Sequence, residues 1–216
     1  FGRRYAVKDV DLDWSPGTIT AVIGPNGAGK STILGLVAGR IASSQGTVGY
    51  GDASNNTVPR KNIGYLSHAS FLYRALTCRE NIQLAADLHG MNDPSRVDEV
   101  LGRVGLAEHG NRFVSELSRG MVQRLAIGRV LLSSPGILLL DEPTTGLDEA
   151  GRAWLTDTLK DLAQRGCTVV VVSHQRGFLQ GLATHALVLR RGRPQFSGEV
   201  TEAGGWDGLF QEYFGS

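Results

Sequence analysis

The run TITAVIGPNGAGKSTILGLVAG, residues 18–39, leaves little freedom in how this chain folds. TITAVIG reads as a short buried strand ending at Gly24, and GKSTILGLVAG has helical spacing and stops at Gly39. Between them, GPNGAGKST (24–32) fits the spacing G-x-x-x-x-G-K-[ST], with a strand before it and a helix after it as that motif demands. Gly24, Gly27 and Gly29 let the backbone curl until successive N–H groups point inward as an anion nest. The helix N-terminus adds its dipole. Pro25, Asn26, Ala28 and Thr32 complete the stretch; Lys30 is placed to bridge terminal phosphates, and the Ser31 hydroxyl to ligate Mg²⁺. The competing reading, an ordinary glycine-rich turn, leaves the order of strand, loop, lysine and helix unexplained.

A second stretch, ILLLDEPTTGLD (137–148), reads as another buried strand that ends in two carboxylates, Asp141 and Glu142. Burying or half-burying a charge is costly unless something pairs with it. A phosphate-bound Mg²⁺ is such a partner for Asp141. Glu142, one residue on, can face an attacking water as general base or water-positioning group. Without the glycine loop, the same pair would read as a solvated strand end.

The rest of the chain alternates in the same way. Strands are expected at Val7–Trp14, Thr47–Tyr50, Ile63–Leu66 and 168–172, and helices at 118–132 and 148–165, followed by a final αβ segment. That order predicts an α/β fold with a parallel sheet covered on both faces. From about Thr77 to Arg119 the pattern turns helical, at 78–89 and 94–104, with Thr77 and Asp93 as N-caps, and reads as an insertion. A chain of 216 residues fits one domain, 41% hydrophobic and 20% charged residues fit a soluble globular protein, and a net charge of +1 gives no basic field for nucleic acid. The apolar runs are too short to cross a bilayer, and no signal peptide is read. Cys78 and Cys167 are far apart and form no CxxC, which fits a reducing compartment and gives neither a role. The sequence opens at Phe1 rather than a methionine, so residues upstream are expected to be missing from it.

ELSRGMVQRLAIGRVLL (116–132) argues against a small-molecule kinase. Ser118, Arg119 and Gly120 open a helix just upstream of the acidic strand and form a second anion site. One nucleotide has one triphosphate, so a second site makes sense if it faces the nucleotide of another protomer.

With these motifs in place, the chain resembles the ATP-binding cassette (ABC) ATPase family over essentially its whole length. LSRGM (117–121) resembles the LSGGQ signature, GPNGAGKST the Walker A motif, ILLLDE the Walker B motif and TGLD (145–148) the D-loop, which brings Asp148 to the nucleotide. VVVVSHQ (169–175) ends in the family's switch histidine, His174, and Phe1 stands 29 residues before Lys30, where the family stacks an aromatic on adenine. The resemblance implies a RecA-like P-loop NTPase core with an antiparallel β edge and an inserted helical subdomain. The core would comprise 1–66 and 121–216, and the subdomain about 67–120. It also implies ATP and Mg²⁺ as ligands, a head-to-tail dimer with two ATP molecules sandwiched, a separate transmembrane permease, and a peripheral position on the cytoplasmic face of the membrane.

Three departures stand out. Arg119 replaces a glycine of the signature, either adding a cation near the partner's phosphate or pointing to water, and Met121 replaces its glutamine. His68, in YLSHASFLYRALTCREN (65–81), stands near the family's glutamine; imidazole is a poor ligand for hard Mg²⁺, so its alternatives are contact through a water or no metal role. LSHASFLYRALTCREN, LSRGM and SHQ together resemble the ATP-binding subunit of the haem exporter of bacterial cytochrome c maturation. Three functions compete: a transport motor driving a separate membrane subunit, a soluble cassette ATPase, and a stand-alone P-loop kinase. The soluble cassettes usually carry coiled-coil insertions or tandem cassettes absent from this sequence, and the kinase leaves the signature and His174 without jobs. In SFLYRAL (70–76), Phe71, Leu72, Tyr73 and Leu76 form either an exposed interaction surface or packing under the helical insertion.

Overall fold

The computed structural model describes residues 5–51 and 62–215. Among these residues, six strands form one sheet in the order β2-β3-β4-β1-β5-β6. They are β1 (Ile19–Ile23), β2 (Ile63–Leu66), β3 (Ile137–Asp141), β4 (Thr168–Val172), β5 (His185–Arg190) and β6 (Arg193–Glu199). The first five run parallel; β6 pairs antiparallel with β5 and supplies an antiparallel edge. Every residue of β1 and β4 is buried, as expected of central strands covered on both faces.

Alternation along each strand divides the interior. Ile19, Ala21, Ile23, Leu138, Leu140, Val169 and Val171 point to one side, where they pack with α4 (Arg119–Leu131), α5 (Glu149–Gln164) and α6 (Arg176–Leu182). Val22, Leu139, Val170, Val172, Leu187 and Leu189 point to the other side, against Ile33 and Leu34 of α1 (Lys30–Val37). A third cluster gathers α2 (Cys78–Leu88) and α3 (Ser95–Arg103) around Ile82, Val97 and Leu101. α4 joins this cluster to the sheet: Leu125 and Leu132 face α2 and α3, while Ala126, Ile127 and Val130 face the sheet. The chain closes with α7 (Gly205–Phe214).

Thr77 is the N-cap of α2, as its sequence predicts, and the start proves to be a capping box. Thr77 Oγ1 accepts from Glu80 N–H at 3.2 Å, and Glu80 Oε2 accepts from Thr77 N–H at 2.8 Å. Thr77→Ala is expected to cost about 1 kcal/mol, seen as a lower thermal midpoint with the helix content retained. At α3, Pro94 already has helical dihedrals, and Asp93 Oδ1 accepts from Ser95 N–H at 2.9 Å, so Asp93 serves the cap.

Two expected strands do not form. Val7–Trp14 is irregular, because Asp9 takes a left-handed φ of 55° that breaks the alternation. Val7, Leu12 and Trp14 still pack on the sheet, and Lys8 N–H reaches Gly192 O at 2.8 Å. Thr47–Tyr50 lies between Gly46 (φ 81°) and Gly51 (φ 70°) and is tied down by Tyr50 Oη donating to Val37 O at 2.6 Å.

Candidate functional site

The C-terminal ends of the parallel strands converge, as the ligand crevice of an open α/β sheet requires. The glycine loop follows β1, Asp141 ends β3, and Ser173 and His174 follow β4. Leu66 pairs with Leu140, so the end of β2 lies beside that of β3, and His68 comes two residues later.

Gly24 and Gly29 are required where they stand. A Cβ on Gly24 would collide with the Leu189 carbonyl oxygen, and one on Gly29 would fall 2.7 Å from Ala6 O. Both have positive φ, at 154° and 103°. The loop is buttressed by the β5–β6 turn, whose two residues Arg191 and Gly192 both take positive φ, and Gly192 N–H donates to Ala28 O at 3.0 Å. Lys30 is 8% exposed and folds back across the loop, donating to Gly24 O at 2.7 Å and Pro25 O at 3.0 Å. Burial pushes its ammonium below the ordinary lysine pKa, with Glu142 and then Asp141 opposing that shift. Ser31 is exposed at the second position of α1.

Asp141 is 8% exposed at the end of β3. Glu142 holds φ 53°, a conformation that costs a non-glycine residue on the order of 1–3 kcal/mol. Its N–H bonds to Val172 O at 2.9 Å, fixing it to β4. Glu142 Oε2 accepts from His174 N–H at 3.4 Å, while Oε1 is buried without a hydrogen bond, 3.5 Å from His174 Nε2. Thr144 Oγ1 beside it is also buried and unbonded. Unpaired buried acceptors beside a phosphate loop are groups kept for a ligand or a water. The hard oxygens of Ser31 and Asp141 suit Mg²⁺, which draws its remaining ligands from phosphate and water. Among the described residues, no cluster of three His, Cys, Asp or Glu side chains could hold a metal alone.

The remaining candidates sit apart. Ser118 Oγ caps α4 by accepting from Met121 N–H at 3.3 Å, and Ser118 and Arg119 are exposed. Gly120 packs on the 145–148 turn: a Cβ on it would fall 2.8 Å from Gly146 O. Asp148 Oδ1 caps α5, accepting from Gly151 N–H at 2.7 Å. His68 is exposed, and Phe1 lies outside the described residues. In the 70–76 stretch, Leu72 packs into the interior and Leu76 is half-buried, leaving Phe71 (47% exposed) and Tyr73 (61%) at the surface. The Arg40 and Arg129 guanidiniums lie 4.9 and 6.0 Å from the Phe71 ring. Neither arginine was legible as a partner of this loop. Arg176, two residues beyond His174, was missed as well; its guanidinium lies over Phe210, and the four-residue spacing of Trp206, Phe210 and Phe214 was the available signal. Both cysteines are buried free thiols, and burial pushes Cys167 up to about 11, which leaves it unreactive.

Comparison with known proteins agrees with this geometry. A sequence profile of the ABC transporter family matches residues 7–145. The ABC transporter ATP-binding protein NatA of Bacillus subtilis is 32% identical, over 95% of this chain and 84% of its own length. The sulfate/thiosulfate import ATP-binding protein CysA of Synechococcus elongatus is 36% identical over 94% of this chain. This chain spans 60% of that CysA's length, and as little as 30% of other matched proteins. Among solved structures, a dimeric ATP-binding cassette in a post-hydrolysis state with ADP and Pi superposes with a TM-score of 0.84 at 28% identity, covering 93% of this chain and 94% of that one. The chain therefore belongs to the ABC transporter family and is one of its ATP-binding domains, the ATPase component.

Proposed function

We propose that this chain binds ATP with Mg²⁺ on the Gly24–Thr32 loop, hydrolyses it as one half of a head-to-tail pair, and so drives a separate membrane-embedded subunit. The observation that carries the reading is Glu142: strained, fixed to β4, with an unpaired buried oxygen next to His174 and on the same edge as Asp141 and Lys30. Lys30, now occupied by loop carbonyls, exchanges them for phosphate oxygens. Ser31 and Asp141 would hold the Mg²⁺, which would offset phosphate charge there. Glu142 accepts a proton from, or aligns, the attacking water, and His174 keeps the carboxylate in place. Ser118 and Gly120 serve the nucleotide of the second copy, and Asp148 orders the turn beside them. His68 reaches the site through a water. The division into a core and a helical subdomain at about 67–120 is supported by the separate cluster around α2 and α3.

Among the described residues, no helix is long and apolar enough to cross a membrane. The strings LSHASFLYRALTCREN, LSRGM and SHQ favour haem export as the cargo, with the chain on the cytoplasmic face. Loss of c-type cytochrome assembly on deletion of the gene would support that cargo, and unchanged assembly would remove it.

Phosphate release by the purified chain tests the reading: ATP with Mg²⁺ should be turned over and EDTA should stop it. No turnover, alone or with the co-expressed membrane subunit, would contradict it. The surface pair Phe71 and Tyr73 is the proposed contact with that subunit. Tyr73→Asp should leave ATP hydrolysis within about twofold of the parent yet prevent recovery of the complex. His68→Gln should keep the ATPase activity. Lost folding in Tyr73→Asp would show instead that Tyr73 is needed for packing.

A further inference from the structure

The left-handed φ of 53° at Glu142 needs a support on each side. A residue with a side chain keeps such a conformation only where its surroundings over-determine it. On the N-terminal side β4 supplies the support, through Glu142 N–H bonded to Val172 O at 2.9 Å. On the C-terminal side stands Pro143, which is buried and has no N–H to give. The turn's own bonds, Thr145 N–H to Glu142 O at 3.2 Å and Leu147 N–H to Thr144 O at 3.1 Å, travel with the segment. The hold from another element comes from α4: Gln123 Nε2 donates to Pro143 O at 2.9 Å.

Gln123 reaches that carbonyl from a firm base. Just beyond it along α4, Leu125 packs with α2 and α3, and Ala126 and Ile127 pack on the sheet. The Arg124 guanidinium lies 5.2 Å from the Trp154 ring of α5. Gly120, three residues before Gln123 and so on the same face of α4, touches the turn a second time: a Cβ on it would fall 2.8 Å from Gly146 O. The Glu142 carboxylate itself is held only loosely. Its Oε2 accepts from His174 N–H at 3.4 Å, and Oε1 has no hydrogen bond. The direction of the carboxylate is therefore set by the backbone that carries it.

We propose that Gln123 is a positioning residue for ATP hydrolysis: by holding the Pro143 carbonyl it keeps Glu142 in the strained conformation that aims its carboxylate at the attacking water. This rests on the reading of Glu142 as the group that handles that water. Without the amide, the peptide after Glu142 is free to rotate towards an unstrained φ, and the carboxylate leaves its place. A displacement on the order of 1 Å at a reacting group costs about a hundredfold in rate. Nucleotide binding does not depend on this bond, because the glycine loop follows β1 and is buttressed by the β5–β6 turn through Gly192 N–H to Ala28 O. A purely structural role for Gln123, pairing a buried carbonyl, would instead affect stability and leave the chemical step alone.

Single-turnover phosphate release with ATP and Mg²⁺ tests this, with ATP affinity measured alongside. Gln123→Leu should slow hydrolysis about tenfold to a hundredfold and keep ATP affinity within about twofold of the parent. Added to Glu142→Gln, it should change the remaining rate by less than about twofold, because the group it positions is already gone. Gln123→Glu supplies a second readout, since its carboxyl can donate to Pro143 O only while protonated. Its rate should approach the parent's at the acid end of the pH range and fall to the Gln123→Leu level as pH rises, a limb the parent lacks. A parental rate in Gln123→Leu, or an equal loss in both backgrounds, would overturn the proposal while the Glu142 reading stands. If Gln123→Leu does not fold, the pH profile of Gln123→Glu decides alone, and a constant ratio to the parent overturns the proposal. Hydrolysis by Glu142→Gln at the parental rate would overturn the Glu142 reading and this proposal with it.

Discussion

Glu142→Gln is expected to bind ATP as the parent chain does while hydrolysis falls by roughly 10²–10⁴-fold. The amide keeps the shape of the side chain and its reach to His174 N–H, now 3.4 Å from Oε2. It removes the negative charge and the basicity that a water would use. Because the backbone at Glu142 is held by Val172 O and by the turn that follows, the substitution should not disturb the fold. Single-turnover phosphate release, with nucleotide binding measured alongside, separates the chemical step from affinity. Hydrolysis at the parental rate would remove Glu142 from its assigned role and leave the strained φ of 53° without an explanation.

Lys30→Ala is expected to weaken ATP binding by the single chain about tenfold to a hundredfold, the magnitude of a lost charge-assisted contact to phosphate. The empty protein should tolerate the change. Burial lowers the Lys30 pKa, so the charged form costs the fold stability at pH values below that lowered pKa, and the cost fades as pH rises through it. Ser118→Ala should behave in the opposite way. It removes the α4 cap, at about 1 kcal/mol, and lowers the thermal midpoint, yet on the proposed reading, in which Ser118 serves the other copy's nucleotide, it leaves single-chain ATP affinity intact. ATP-dependent pairing should weaken. Isothermal titration of both variants distinguishes the two roles; an equal loss of affinity in each would place both residues at one nucleotide and contradict the head-to-tail arrangement.

How much of this was legible depended on how local the signal was. The glycine loop could be read because its strand, turn chemistry, lysine and helix lie within one short run, and β3 and β4 because buried parallel strands are continuous apolar stretches. Thr77 was legible for the same reason, since Glu80 three residues later completes its box. Val7–Trp14 misled because alternating polarity reports which side chains face the interior and not whether the backbone has a pairing partner. Asp9 breaks the register, and Val7, Leu12 and Trp14 still pack on the sheet without a ladder. The 70–76 stretch was half legible: its apolar residues were visible, but only the fold sends Leu72 inward and leaves Phe71 and Tyr73 outside. The approach of Arg40 and Arg129 to Phe71 joins residues distant in sequence and left no pattern to read, whereas only the α7 side of the Arg176 contact was visible, in the spacing of its aromatics.

The central claim is that each nucleotide is held between two copies of this chain. It is tested most directly by counting the ATP trapped in the Glu142→Gln chain with Mg²⁺, while the mass of the same sample is measured by sedimentation equilibrium. The account predicts a dimer carrying one ATP per chain, which dissociates when Ser118→Ala is added, although each single chain still binds ATP. Saturated ATP binding by a species that stays monomeric at every protein concentration would contradict it.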